Sequence, residues 1–149
     1  MSISVNKIED RSTLEQAFKI REEVFVYGQK VDPSEEYDEY EDESSHFLAF
    51  SGQQPAGTAR WRFTDKGVKL ERFAVLEPFR GSGVGQALVK AVLSDIKSHP
   101  HTKGKEVYLH AQLTAVGLYE KFGFKKAGDM FIECDIKHYL MKLNDFPVV

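Results

Sequence analysis

The sequence predicts a mixed α/β (α+β) fold: a mostly antiparallel central sheet flanked by helices. Three observations point there. Short segments alternating apolar and polar residues recur along the chain, longer segments repeat apolar residues at helical spacing, and a glycine-rich turn joins the strongest strand to the strongest helix.

Ile3 to Ile8 alternates as a half-buried strand does. Ser12 and Glu15 have capping-box spacing, and Leu14, Ala17, Phe18, Arg21, Val24 and Phe25 then repeat as one helical stripe, with Arg21 at its polar edge. His46 to Phe50 and Gly57 to Phe63 flank a turn at 52–55 and read as an antiparallel hairpin. A second turn, Asp65 to Gly67, leads into a third strand, Val68 to Val75, which Pro78 ends. From Gly83 onward, Val84, Leu88, Ala91, Val92 and Ile96 mark one face of a helix that stops before the loop Ser98 to Gly104. Glu106 to Gln112 alternates again, with Val107, Leu109 and Ala111 on one face and Tyr108, His110 and Gln112 on the other. Ala115, Leu118, Tyr119 and Phe122 define a short helix closed by Gly123, a strand begins at Phe124 to Lys126, and a last strand runs from Ile136 to Leu143.

With 149 residues, 42% hydrophobic and 29% charged, the chain fits one globular domain, 1–149. No run approaches the roughly 18 apolar residues of a membrane span, and the N-terminus lacks the basic-then-apolar order of a secretory signal, so a cytoplasmic location is expected. Cys134 has no partner for an intramolecular disulfide, and one Cys with scattered His residues has no metal-site spacing, so no metal is expected. Charge is unevenly spread. Eight of the 23 acidic residues and none of the 20 bases lie between Asp32 and Glu43, so the rest of the chain is net basic. That division suits an anionic cofactor and a cationic substrate, although a solvated acidic surface accounts for it equally well. The bases form no stripe interleaved with aromatics, which argues against nucleic acid as a partner.

The turn Arg80-Gly81-Ser82-Gly83-Val84-Gly85 follows a strand and opens a helix, where backbone N–H groups and the helix dipole favour a bound anion. No Lys follows Gly85, which excludes a P-loop, and the third glycine of a dinucleotide fingerprint is missing. Arg80, Gly83 and Gly85 instead match [Q/R]-x-x-G-x-[G/A], and Leu118 to Phe124 reads L-Y-E-K-F-G-F. Together these resemble the acetyl-CoA pyrophosphate loop and the late tyrosine element of the GNAT superfamily of N-acetyltransferases. The similarity extends through Ile20 to Val26, Leu109 to Gln112 and Ile136 to His138, segments like those of the ElaA-like branch.

The resemblance implies direct transfer of acetyl from acetyl-CoA to a primary amine of a small molecule or peptide. The backbone from Gly81 to Gly85, with Arg80, would take the pyrophosphate. The backbone of Phe73, Ala74 and Val75 would pair with the pantetheine arm, and Leu118 and Tyr119 would flank the cofactor. Gln112, which stands where the family carries Asn, is the further expected cofactor contact. Tyr119 is the expected proton donor to the leaving thiolate. Glu71 is the first candidate for the base, with a salt bridge to Arg60 or Arg72 as its alternative role, and His110 is the second. Cys134 shows no sign of activation as a nucleophile. Arg21, Glu22, Glu133, Asp135 and His138 are expected to line the acceptor site, and a homodimer is compatible with the family. Two other readings stay open: a non-catalytic CoA-binding sensor, and an acetyltransferase of amino-sugar phosphates.

Overall fold

The structure is a computed structural model that describes residues 2–146, so the outermost positions of the expected 1–149 domain, Met1 and 147–149, lie outside the described residues. Among the described residues, eight strands form one sheet: β1 (Ile3–Lys7), β2 (Ser45–Ser51), β3 (Gln54–Thr64), β4 (Gly67–Val75), β5 (Val107–Gln112), β6 (Phe124–Lys126), β7 (Phe131–Glu133) and β8 (Ile136–Leu143). Their order is β1-β2-β3-β4-β5-β8-β6, with β7 also on β8. Every pairing is antiparallel except β4 with β5. The parallel pair follows from the connection between them, since a strand–helix–strand crossover returns the chain in the same direction. That helix is α3 (Val84–Ser98), and the others are α1 (Arg11–Arg21), α2 (Pro33–Glu36) and α4 (Val116–Glu120). The fold class is the one the sequence predicts.

Strand alternation splits the core into two layers. Phe47, Ala49, Ala59 and Trp61 pack with Leu88, Val92 and Ile96 of α3, while Leu48 and Ala74 face the other way onto Ile20, Val24 and Phe25. Two close contacts set α3 against the first layer. The Trp61 indole N–H donates to Asp95 at 2.9 Å. At Gly57 the helix approaches so nearly that a Cβ would lie 2.9 Å from both the Ala74 carbonyl oxygen and a Val84 methyl.

Four local features differ from the sequence expectation. The cap of α1 is Asp10, whose carboxylate accepts from the Thr13 N–H at 2.7 Å, so Ser12 and Glu15 lie inside the helix. The stripe through Val24 and Phe25 continues not as α-helix but as a wider π turn, Glu22–Gly28, a form found often at functional sites. Asp32 caps α2 within the acidic segment by accepting from the Ser34 N–H at 2.9 Å. β7 has no strong strand pattern, and its hairpin with β8 turns on Cys134 (φ 51°) and Asp135 (φ 60°), two left-handed residues without the Asn-Gly signature of such turns.

Gly57→Ala is expected to lower unfolding stability by about 1–3 kcal/mol, because the added methyl meets backbone as well as side chain. Urea denaturation measures this directly, and an unchanged midpoint would show that α3 can move away freely.

Candidate active site

The site arises where the sheet parts. β4 and β5 pair only from Val68 with Val107 to Leu70 with Leu109. Beyond that point β5 stays registered to β8 through Gln112, while β4 stays with β3 through Val75. A bulge pulls β4 away: Arg72 and Phe73 together oppose Ala59, with Arg72 at φ 59°. The resulting wedge holds a cavity of about 150 Å3 that reaches through the sheet, from Phe25 and Gln29 on the π-turn side to Tyr119 on the α3 side. Lys69 to Phe73, Leu109, His110, Gln112, Glu133 and His138 complete most of its wall.

A buried ion network flanks the wedge. Arg60 is 0% exposed. Its guanidinium donates to Glu71 and, at 2.6–3.0 Å, to Asp38 and Glu41. Glu41 also receives both terminal nitrogens of Arg21 at 2.8–2.9 Å, and Arg21 Nε donates to Glu36. Arg72 reaches Asp38 at 3.2 Å. Much of the acidic segment is therefore turned inward onto arginines, while the Glu35 side chain stays exposed at the cavity wall, against Cys134. Arg21, expected beside the acceptor, is instead 1% exposed and flanked by the Phe18 and Tyr37 rings, because its charge neutralises that segment.

Glu71 does line the cavity, yet its surroundings do not suit a base. Burial alone would raise its pKa, but Arg60, with Lys69 at 3.2 Å and Arg62 at 2.9 Å, pulls it down to about 2. The alternative role, ion pairing with Arg60, is the one the geometry shows. A carboxyl with a depressed folded pKa binds fewer protons folded than unfolded. Its stabilisation is therefore complete above the ordinary glutamate value of 4.5 and is lost as pH falls towards 2.

Tyr119 meets the cavity with its ring edge-on to Phe73 and Phe124, and burial lifts its pKa above the ordinary tyrosine value. Gln112 exchanges two amide hydrogen bonds with Gln29 at 2.9 and 3.1 Å, a clasp across the cleft that no sequence signal announced. His110 and His138 reach the cavity with Glu133 between them. Asp135 does not, since it lies in the β7–β8 turn. Cys134 does line the cavity, but partial burial and the Glu35 carboxylate push its thiol up to about 11, so little thiolate forms.

At the end of β4, Val75 accepts from Arg80 Nε at 3.0 Å, which ties the glycine turn to the strand. Gly81 (φ 78°) and Gly83 (φ 94°) take left-handed conformations that side-chain-bearing residues rarely adopt. Gly83 caps α3 without a side-chain acceptor, leaving the first N–H groups of the helix for another partner. A Cβ on Gly85 would lie 3.3 Å from Leu118, so α4 packs against this helix start and carries Tyr119 with it. Among the described residues no helix is long and apolar enough to cross a membrane, and no cluster of His, Cys, Asp and Glu could hold a metal ion.

A parted parallel strand pair thus stands beside an open, glycine-rich helix start. Residues 9–144 match the model of the acetyltransferase (GNAT) domain, and the chain belongs to that family. It is 40% identical over 129 residues to the uncharacterized N-acetyltransferase YjcF of Bacillus subtilis (strain 168), covering 86% of this chain and 90% of that one. Escherichia coli ElaA superposes with a TM-score of 0.84 at 27% identity, covering 96% of this chain and 100% of ElaA. A GNAT acetyltransferase of Elizabethkingia anophelis, solved with acetyl-CoA bound, shares the fold at a TM-score of 0.68 and 19% identity, covering 95% of this chain and 97% of that one.

Arg60→Met leaves Glu71, Asp38 and Glu41 short of their shared cation, and is expected to lower stability by about 3–5 kcal/mol. Chemical unfolding at neutral pH checks it, and a loss below about 1 kcal/mol would mean the network is not essential.

Proposed function

We propose that the chain transfers an acetyl group from acetyl-CoA directly to a primary amine of a small molecule or peptide. The observation that carries this reading is the wedge between β4 and β5, whose cavity has Tyr119 in its wall, together with the open N-terminus of α3, tied to the end of β4 through Arg80. The N–H groups of Val84 and Gly85, with the Arg80 guanidinium nearby, suit the pyrophosphate, since donors and dipole there converge on an anion. The edge of β4 turned away from β3, from Phe73 to Val75, suits an extended pantetheine arm. A cavity of about 150 Å3 has room for a thioester head and an amine rather than a whole coenzyme, whose nucleotide would lie outside along the glycine turn.

The chemistry needs a deprotonated amine and a stabilised thiolate. The amine nitrogen attacks the thioester carbonyl carbon, the tetrahedral intermediate collapses, and the C–S bond breaks as the amide forms. Because burial raises the Tyr119 pKa, its phenol stays protonated and enters as a hydrogen-bond donor to the developing sulfur charge.

Calorimetry is expected to show one acetyl-CoA per chain. Gly83→Ala should weaken that binding about tenfold, through strain of roughly 1–2 kcal/mol at a left-handed position. Tyr119→Phe should instead lower kcat about 10- to 100-fold, the worth of one hydrogen bond to a developing charge, with little change in coenzyme affinity. Absence of binding at millimolar acetyl-CoA would overturn the reading.

A further inference from the structure

With Glu71 committed to Arg60, Arg62 and Lys69, the cleft needs another group to take the amine proton, and it contains one that is already oriented. His110 projects from β5 into the cavity, and its Nδ1 lies 3.1 Å from Glu133 Oε2 on β7. This hydrogen bond, the largest influence on Glu133, holds its carboxyl below the ordinary range, so the carboxylate accepts and Nδ1 carries the hydrogen. In the neutral ring the lone pair is then on Nε2. Phe131 fixes the ring plane further, standing edge-on to His110 at 5.1 Å and stacked on His138 at 5.7 Å. His138 Nδ1 donates to the Ile136 carbonyl at 2.7 Å, and its Nε2 lies 3.9 Å from the other Glu133 oxygen, beyond hydrogen-bond reach. The charged and titratable groups around this pair include Lys69, Glu71 and Arg72 from β4, Arg62 from β3, Glu35 from α2, Tyr108 on β5, Tyr119 on α4, Cys134 in the β7–β8 turn and His138 on β8.

We propose that His110 is the general base, taking the ammonium proton of the acceptor on Nε2, and that Glu133 is the positioning residue that holds its tautomer and its ring. The proposal rests on the acetyl-transfer reading. The ammonium gives one proton to Nε2, forming an imidazolium that later releases it to solvent. The neutral amine then forms the C–N bond as the C–S bond breaks, and its second proton ends on the CoA sulfur. The imidazolium is stabilised by Glu133 at Nδ1, as a carboxylate behind a catalytic histidine does.

Two measurements test it. Imidazole 15N NMR of the free protein should show His110 as the Nδ1–H tautomer in the wild type, and a mixture of tautomers in Glu133→Ala. This reading needs no substrate. Acetyl transfer from acetyl-CoA to spermidine, amino acids and a short peptide then gives the kcat–pH profile. His110→Gln should lower kcat at least about 100-fold and remove the acidic limb, while acetyl-CoA affinity stays within about threefold. Glu133→Gln should lower kcat and move that limb to lower pH, because the imidazolium loses its neighbouring negative charge, and Glu133→Asp should restore part of both. Full kcat in His110→Gln would overturn the proposal, as would an Nε2–H tautomer in the wild type. A wild type that binds acetyl-CoA but acetylates none of these amines overturns it too. Failure of the wild type to bind acetyl-CoA instead overturns the acetyl-transfer reading, and the NMR result still decides the His110–Glu133 geometry.

Discussion

Arg60 carries a charge into the sheet where no water reaches it, and such an ion is tolerated only when carboxylates replace its hydration. Three do so, and they come from different parts of the chain: Glu71 from the neighbouring strand, Asp38 and Glu41 from the acidic segment. Satisfying Arg60 therefore draws that segment down onto the sheet. Glu41 shares itself with Arg21 at the end of α1, so the same network anchors the π turn that follows. Phe25 and Gln29 consequently stand at one side of the cleft because an arginine on β3 requires partners. Replacing such a network by apolar residues is often tolerated energetically, so its significance here lies in the placement of chain segments more than in net stability.

The same network sorts the carboxylates of the cleft by task. Glu71 has three cationic neighbours and holds its charge to low pH, whereas Glu133, on the far strand pair, is paired with a histidine. The parting of β4 from β5 separates these two environments. On one side of the wedge electrostatics are saturated and rigid, and on the other lies an imidazole with a free nitrogen. The glycine turn serves the remaining need, since left-handed Gly81 and Gly83 bring bare N–H groups to the wedge's outer end without a side chain to cap them.

Much of this was legible in the residues. The period of α3, the alternation of β5 and the glycine turn each follow from local pattern, and they place Tyr119, His110 and the helix start correctly in the fold. What escaped was decided by long-range electrostatics and by strand geometry. Arg21 looked like the polar edge of a stripe because periodicity cannot show that Glu36 and Glu41 fold back over it. The acidic run looked like a surface for the same reason. The bulge at Arg72 has no glycine to signal it, and the turn at Cys134 and Asp135 lacks the usual residues, so β7 and the placement of Glu133 beside His110 were hidden. The clasp between Gln29 and Gln112 joins residues 83 positions apart, beyond any local rule.

Arg60, Arg62 and Lys69 hold Glu71 ionised although it lines the cleft. The most direct measurement is carboxyl 13C NMR of Glu71 followed as pH is lowered, with Glu71→Gln assigning the resonance. A midpoint near 2 is expected, with the residue ionised throughout the range in which an amine would be acetylated. A midpoint at or above the ordinary glutamate value of 4.5 would contradict it and restore Glu71 as the candidate base.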